Sequence, residues 1–171
     1  MQVLFQGDEM ISMSDKELFN FFQTNSICES LTLQEVGKLM AYLQEKSHEG
    51  GEIIFDAGDI GELLGFIIKG KVEFTVADEP DNTVGKQTVG NLIGEMSFFD
   101  RKPRNLRMSA SKKGVQFLVL TRPMYDRLKV EEPYIAVNIL ENAIVSLDHL
   151  VRHMGNDISA LGHYVHGYGK R

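Results

Sequence analysis

The chain has 171 residues, a formal net charge of −6, 43% hydrophobic and 25% charged residues. These values suit one globular domain with an accessory helix, long enough to bury a core. The acidic total argues against a nucleic-acid-binding face, because phosphate backbones repel negative charge. Cys28 is the only cysteine, so an intrachain disulfide is excluded and the residue reads as a small apolar one. No apolar run reaches the ~18–20 residues that span a bilayer, and no signal-peptide pattern is present, so a cytoplasmic protein away from membranes is expected.

Met1 to Gly7 resembles the recognition site of a viral 3C-type protease, and residues 1–9 are set aside as an expression remnant. Ser14-Asp15-Lys16-Glu17 and Thr32-Leu33-Gln34-Glu35 both have capping-box spacing. The first predicts a short amphipathic helix carrying Leu18, Phe19, Phe21 and Phe22. The second predicts a helix near 32–46, with Val36, Leu39, Met40 and Leu43 at helical spacing.

From Gly50-Gly51 the pattern changes to short β-rich runs, at 52–55, 66–68, 71–76, 86–89, 107–110 and 116–120. Turns are expected at Ala57-Gly58-Asp59, Lys69-Gly70-Lys71, Asp81-Asn82, Val89-Gly90-Asn91 and Lys112-Lys113-Gly114. That rhythm predicts an antiparallel barrel, sandwich or roll. Helix returns over about 123–129, and a long helix begins at Pro133, a favoured first-turn residue. From Val137 through Leu140, Ile144, Leu147, Val151, Met154, Ile158, Leu161 and Val165 the apolar spacing alternates three and four, a coiled-coil seam. Residues 10–130 are thus one domain, and residues 131–171 a dimerisation helix, weakened at Gly155 and Gly162.

The chemistry concentrates between Gly90 and Arg107. Gly94 permits an unusual dihedral or a close approach. Glu95 and Ser97 open a predicted short helix whose first N–H groups are unpaired and favour an anion. Arg104 follows at an interval that lets the chain loop back, and its guanidinium can fork onto two phosphate oxygens. Glu95 would repel a phosphate and is expected to accept from a hydroxyl instead. No nucleophile–base pair is apparent, so an enzyme is not expected. His149 and His153 stand four apart, but too few further ligands surround them for a metal site.

Gly94-Glu95 followed by Pro103-Arg104 resembles the phosphate-binding cassette of cyclic-nucleotide-binding domains. Gly51 to Asp59 and Phe66 to Val72 resemble that family's first strand and next hairpin, and the long helix resembles the dimer helix of its bacterial catabolite-activator class. The resemblance implies an α+β, mainly β fold: an antiparallel double-stranded β-helix, or jelly-roll-like β-roll, flanked by N-terminal helices and a long C-terminal helix. It implies that Glu95 accepts from the ribose 2′-hydroxyl and that Arg104 holds the exocyclic phosphate oxygens. Gly94, Met96, Ser97 and Asn105 would meet the sugar-phosphate. Leu106 and Arg107 depart from the family's small residue and hydroxyl; they would crowd the phosphate or add a second charge.

The expected protein is therefore a non-enzymatic sensor without a cofactor, whose ligand is cAMP ahead of cGMP. Arg101, Lys102, Arg104 and Arg107 together would instead suit the two phosphates of a cyclic dinucleotide. The sensor would relay binding through a homodimer seam of Leu140, Ile144, Leu147, Val151, Met154 and Ile158 to an unidentified output protein, and the long helix would lend a polar residue among Asn142, Ser146, His149 and Arg152 to the purine. The alternative is a degenerate roll serving only dimerisation or docking.

Overall fold

A serine or threonine followed three positions on by glutamate can satisfy the orphan N–H groups at a helix start, and both such sites begin helices. The computed structural model describes residues 12–76 and 79–167, with side chains over 12–76 and 82–152. The expected remnant at residues 1–9 lies outside them. Ser14 caps α1 (Asp15–Thr24) and Thr32 caps α2 (Leu33–Met40), each with its glutamate reaching back to the cap N–H at 2.8 Å.

Helix α2 stops at Met40, short of the expected 46, because Leu43–His48 forms a strand, β1. Leu43 fits both periodicities. The six-residue antiparallel pairing of Leu43–His48 with residues 115–120 decides for the strand.

The remaining elements are β2 (Ile53–Phe55), β3 (Leu63–Val76), β4 (Glu79–Thr88), β5 (Leu92–Ile93), α3 (Glu95–Asp100), β6 (Arg107–Thr121), α4 (Arg122–Glu131) and α5 (Pro133–Gly167). Six antiparallel strands run in the order β1-β6-β3-β4, with β2 on β6 and β5 on β3, which is a mainly β roll flanked by helices.

Two expected turns are bends inside long strands. The β3–β6 register shifts between Ile67 and Lys69 and between Gly70 and Val72, and both strands continue. Gly70 has φ +82°, and a β-carbon on it would stand 2.2 Å from the Gly114 carbonyl oxygen, so only glycine permits this crossing. Asp81-Asn82 lies within β4 rather than at a turn, and Val76 of β3 pairs with Glu79 of β4.

Alternation along the long strands feeds two cores. Leu63, Ile67, Phe117 and Val119 face the roll interior with Ile93 and Met108. Leu64, Phe66, Leu118 and Leu120 face the helices, where they pack with residues such as Phe22 and Phe98. Buried on both faces, these strand centres are continuously apolar.

The first turns of α5 belong to the helical core through Ile135, Ala136, Ile139 and Ala143. Further along, Ile144 is 58% and Val151 66% exposed. Helical backbone continues to Gly167, but the side chains of Met154 and Ile158 lie outside the described ones. Pro133–Arg152 is long and apolar enough to cross a bilayer, which amends the expectation from sequence. Its buried inner face and the exposed Glu141, Asp148 and Arg152 make it an amphipathic helix seated on a domain.

Candidate functional site

The site begins where β5 ends. Gly94 adopts φ +88° ahead of α3, and a β-carbon there would stand 2.8 Å from the Leu63 carbonyl oxygen. Conformation and space both demand glycine. The same β-carbon position lies 3.5 Å from Arg104 Nη2 and 3.7 Å from Nη1, so the guanidinium has returned to the start of α3.

Main-chain contacts hold that return. Arg104 N–H donates to the Asp59 carbonyl at 2.8 Å, and Gly58 N–H donates to the Arg104 carbonyl at 2.8 Å. Pro103 bridges to Ile60 in the same antiparallel sense. Gly61 N–H donates to Ser97 Oγ at 2.6 Å, and that hydroxyl donates to the Lys102 carbonyl at 2.6 Å. The loop between β2 and β3 is therefore laced to the cassette at several points. Gly61 has no room for a side chain: a β-carbon would stand 2.9 Å from both Phe98 N and Arg104 Nη2.

The Arg104 guanidinium sits over the Phe55 ring, 4.1 Å from its centroid. Its Nε and Nη2 are buried and have no hydrogen-bond partner. Burial lowers the guanidinium's pKa, while the Asp59 and Glu95 carboxylates oppose that. Buried unpaired donors on a cation are costly. A fork of this kind matches an anion presenting two oxygens.

Glu95 is also largely buried. Burial pushes its carboxyl above the ordinary 4.5, against the pull of its own backbone N–H, the Ser146 hydroxyl and Arg104. Ser146 Oγ of α5 donates to Glu95 Oε1 at 2.9 Å. Glu95 and Arg104 thus lie close enough to influence each other's ionisation, from the two ends of one loop.

The other expected residues fall into separate surroundings. The Ser97 hydroxyl is committed to the loop bonds above. Met96 and Asn105 are exposed and Leu106 is half-buried. Arg107 neither faces solvent freely nor joins Arg104: its Nε and Nη2 donate to Asp56 Oδ1 and Oδ2, both at 2.9 Å. Those hydrogen bonds lower the Asp56 carboxyl and raise Arg107. Of the four cations considered for two phosphates, Arg107 is therefore answered, and Arg101 and Lys102 are exposed. Asn142 is half-buried, His149 is exposed, and Arg152 pairs with Asp148 at 2.6 Å.

Sequence reasoning missed Phe55, Asp56, Asp59 and Gly61 as parts of the site. The signal available was the Asp56-Ala57-Gly58-Asp59 turn, whose acidic residues stand opposite the basic Arg104 and Arg107.

Behind the site an aromatic cluster joins α3 to α4. Phe98 and Phe99 meet Tyr125 edge-on, at 5.5 Å and 5.8 Å between centroids. Arg122 lies 3.7 Å over the Phe98 ring.

The family model described as "Cyclic nucleotide-binding domain" matches residues 45–129. The chain is 30% identical over 111 residues to the Cyclic AMP receptor protein of Thermus thermophilus, covering 64% of this chain and 51% of that protein. It is 27% identical over 107 residues to a cyclic nucleotide-gated potassium channel of Rhizobium etli, covering 63% of this chain and 29% of the channel. It thus spans about half of the first relative and less of the second. Among solved structures, a cyclic nucleotide-binding domain from Methylobacillus flagellatus superposes with a TM-score of 0.73 at 26% identity, covering 85% of this chain and 84% of that one. The Thermus thermophilus Catabolite Activator Protein superposes with a TM-score of 0.65 at 25% identity, covering 83% and 62%.

Proposed function

We propose that this chain, which belongs to the cyclic nucleotide-binding domain family through residues 45–129, is a cytoplasmic, non-enzymatic sensor that binds a cyclic mononucleotide, cAMP ahead of cGMP, and relays that binding through α5 of a homodimer. The observation that carries the reading is the Arg104 guanidinium: buried, seated on Phe55, with Nε and Nη2 unpartnered beside Gly94 and Glu95. A cyclic phosphodiester offers two exocyclic oxygens to that fork. Its ribose offers a hydroxyl to Glu95, a buried carboxylate that gains from each donor it meets. Gly94 lets the backbone approach the sugar-phosphate, and Met96 and Asn105 flank it.

The order cAMP over cGMP is supported by the relative named a Cyclic AMP receptor protein. It is supported too by the absence of a serine or threonine from Asn105 to Arg107. Arg107 supports one phosphate rather than two, since its charge is taken up by Asp56. The exposed apolar positions Leu140, Ile144 and Val151, with Leu147 beside them, support a seam between two copies, which Met154 and Ile158 would extend.

Calorimetric titration with cAMP and cGMP tests the reading. Heat on binding and a rise in Tm with ligand concentration are expected. No heat and no Tm shift at millimolar nucleotide would leave a roll that only docks or dimerises.

A further inference from the structure

Among the described residues, helix α5 touches the cassette at one polar point. Ser146 Oγ donates to Glu95 Oε1 at 2.9 Å, between residues 51 apart in sequence. Ser146 also marks where the helix leaves the domain. Ala143, three residues earlier, is buried, Ser146 and Leu147 are half-buried, and every residue from Asp148 to Arg152 is exposed. A bond at such a boundary can be exchanged without disturbing the core contacts of Ile135 and Ile139.

We infer that Ser146 is a latch whose hydroxyl competes with the ligand's 2′-hydroxyl for Glu95, so that choosing a ribose and freeing α5 from the cassette are the same event. This rests on the nucleotide reading above. The exchange is like for like: one aliphatic hydroxyl donor leaves a buried carboxylate and another takes its place. Glu95 keeps its hydrogen bond, and burial of its charge stays compensated. The helix loses its only hydrogen bond to the cassette among the described residues, at the turn from which the exposed seam extends. A ligand shifts such an equilibrium only through differential contact with the two arrangements, and the 2′-hydroxyl supplies that difference.

The sign of one substitution separates a latch from a residue that merely positions Glu95. The full chain is titrated with cAMP and with 2′-deoxy-cAMP, as wild type, Ser146→Ala and Ser146→Thr. Ser146→Ala removes the competitor and is expected to tighten cAMP roughly three- to tenfold, the worth of one hydrogen bond. The 2′-deoxy analogue has no hydroxyl to exchange, so its affinity is expected to stay unchanged. Ser146→Thr keeps a hydroxyl and is expected to match wild type. Amide hydrogen exchange over 143–152 is expected to quicken on adding cAMP to wild type, and to be already quick in nucleotide-free Ser146→Ala. Weaker or unchanged cAMP binding by Ser146→Ala, or equal tightening for both nucleotides, overturns the latch alone. Failure of wild type to bind either nucleotide overturns the nucleotide reading, and the latch with it.

Discussion

The cassette and helix α5 meet at the same carboxylate, but they are held in place differently. The cassette is fixed by many short contacts to one loop: main-chain bonds on both sides of Arg104, the doubly used Ser97 hydroxyl, and the forked Arg107–Asp56 pair. Among the described residues, α5 beyond Ala143 has none of this. Its inner face leaves the core after Ala143, and a single hydroxyl ties it to Glu95. Binding groups fixed before the ligand arrives lose little entropy on binding. An element tied by one bond can move. A sensor needs both, and the division between them falls at Glu95.

The largest effect is expected on the fixed side. Arg104→Ala should weaken cAMP binding at least about thirtyfold, by leaving the phosphate without its fork. The fold should survive, because the Arg104 contacts to Asp59 and Gly58 are main-chain ones. Calorimetry and thermal unfolding together read this; equal affinity in the variant would remove Arg104 from the site.

On the movable side, Ile144→Asp puts a charge on the exposed seam and should convert a dimer to a monomer in light scattering. A mass unchanged by the substitution would separate α5 from self-association.

Gly61→Ala tests how tightly the loop is packed. The new methyl group meets the main chain of Phe98, and overpacking of this kind costs roughly 1–3 kcal/mol. A fall in both Tm and affinity is expected, and a neutral outcome would mean the loop and cassette can part.

Arg107→Ala should be milder, roughly two- to fivefold in affinity, since the pair is partly solvated and acts through the loop. The Asp56 carboxyl should rise towards its ordinary value, measurable by carbon NMR. An Asp56 titration that does not move would contradict the pairing.

The smallest effect concerns pH. Burial raises the Glu95 carboxyl above 4.5, so the folded chain holds a proton that the unfolded chain has released. Glu95 therefore lowers stability as pH rises through the window between the unfolded and the folded value. Glu95→Gln removes that dependence, so the variant's stability relative to wild type should increase as pH rises above about 4.5 in thermal unfolding. A relative stability that declines over that range would mean the carboxylate is net stabilised by its partners.

Local devices were legible in the sequence because their physics is local. The capping boxes at Ser14 and Thr32 and the Pro133 helix start formed as expected. Gly94, Glu95 and Arg104 were legible by interval, since one loop carries all three. What the sequence hid was long-range. Gly61 and Ser97 are 36 residues apart, and Asp56 and Arg107 are 51 apart; no spacing rule links them. Arg107 was read without its partner, because Asp56 lies on the loop after β2. The turns at Gly70 and Gly114 were misplaced because a glycine at a strand crossing and a glycine at a hairpin carry the same local signal. Leu43 was assigned to the wrong element because one apolar residue serves either period until its partner strand is known.

The most direct measurement is a crystal structure of the chain grown with cAMP. The cyclic phosphate oxygens should lie within hydrogen-bond distance of Arg104 Nε and Nη2, with the 2′-hydroxyl on Glu95. A nucleotide bound elsewhere, with Arg104 still on Phe55 and its fork empty, would contradict that assignment.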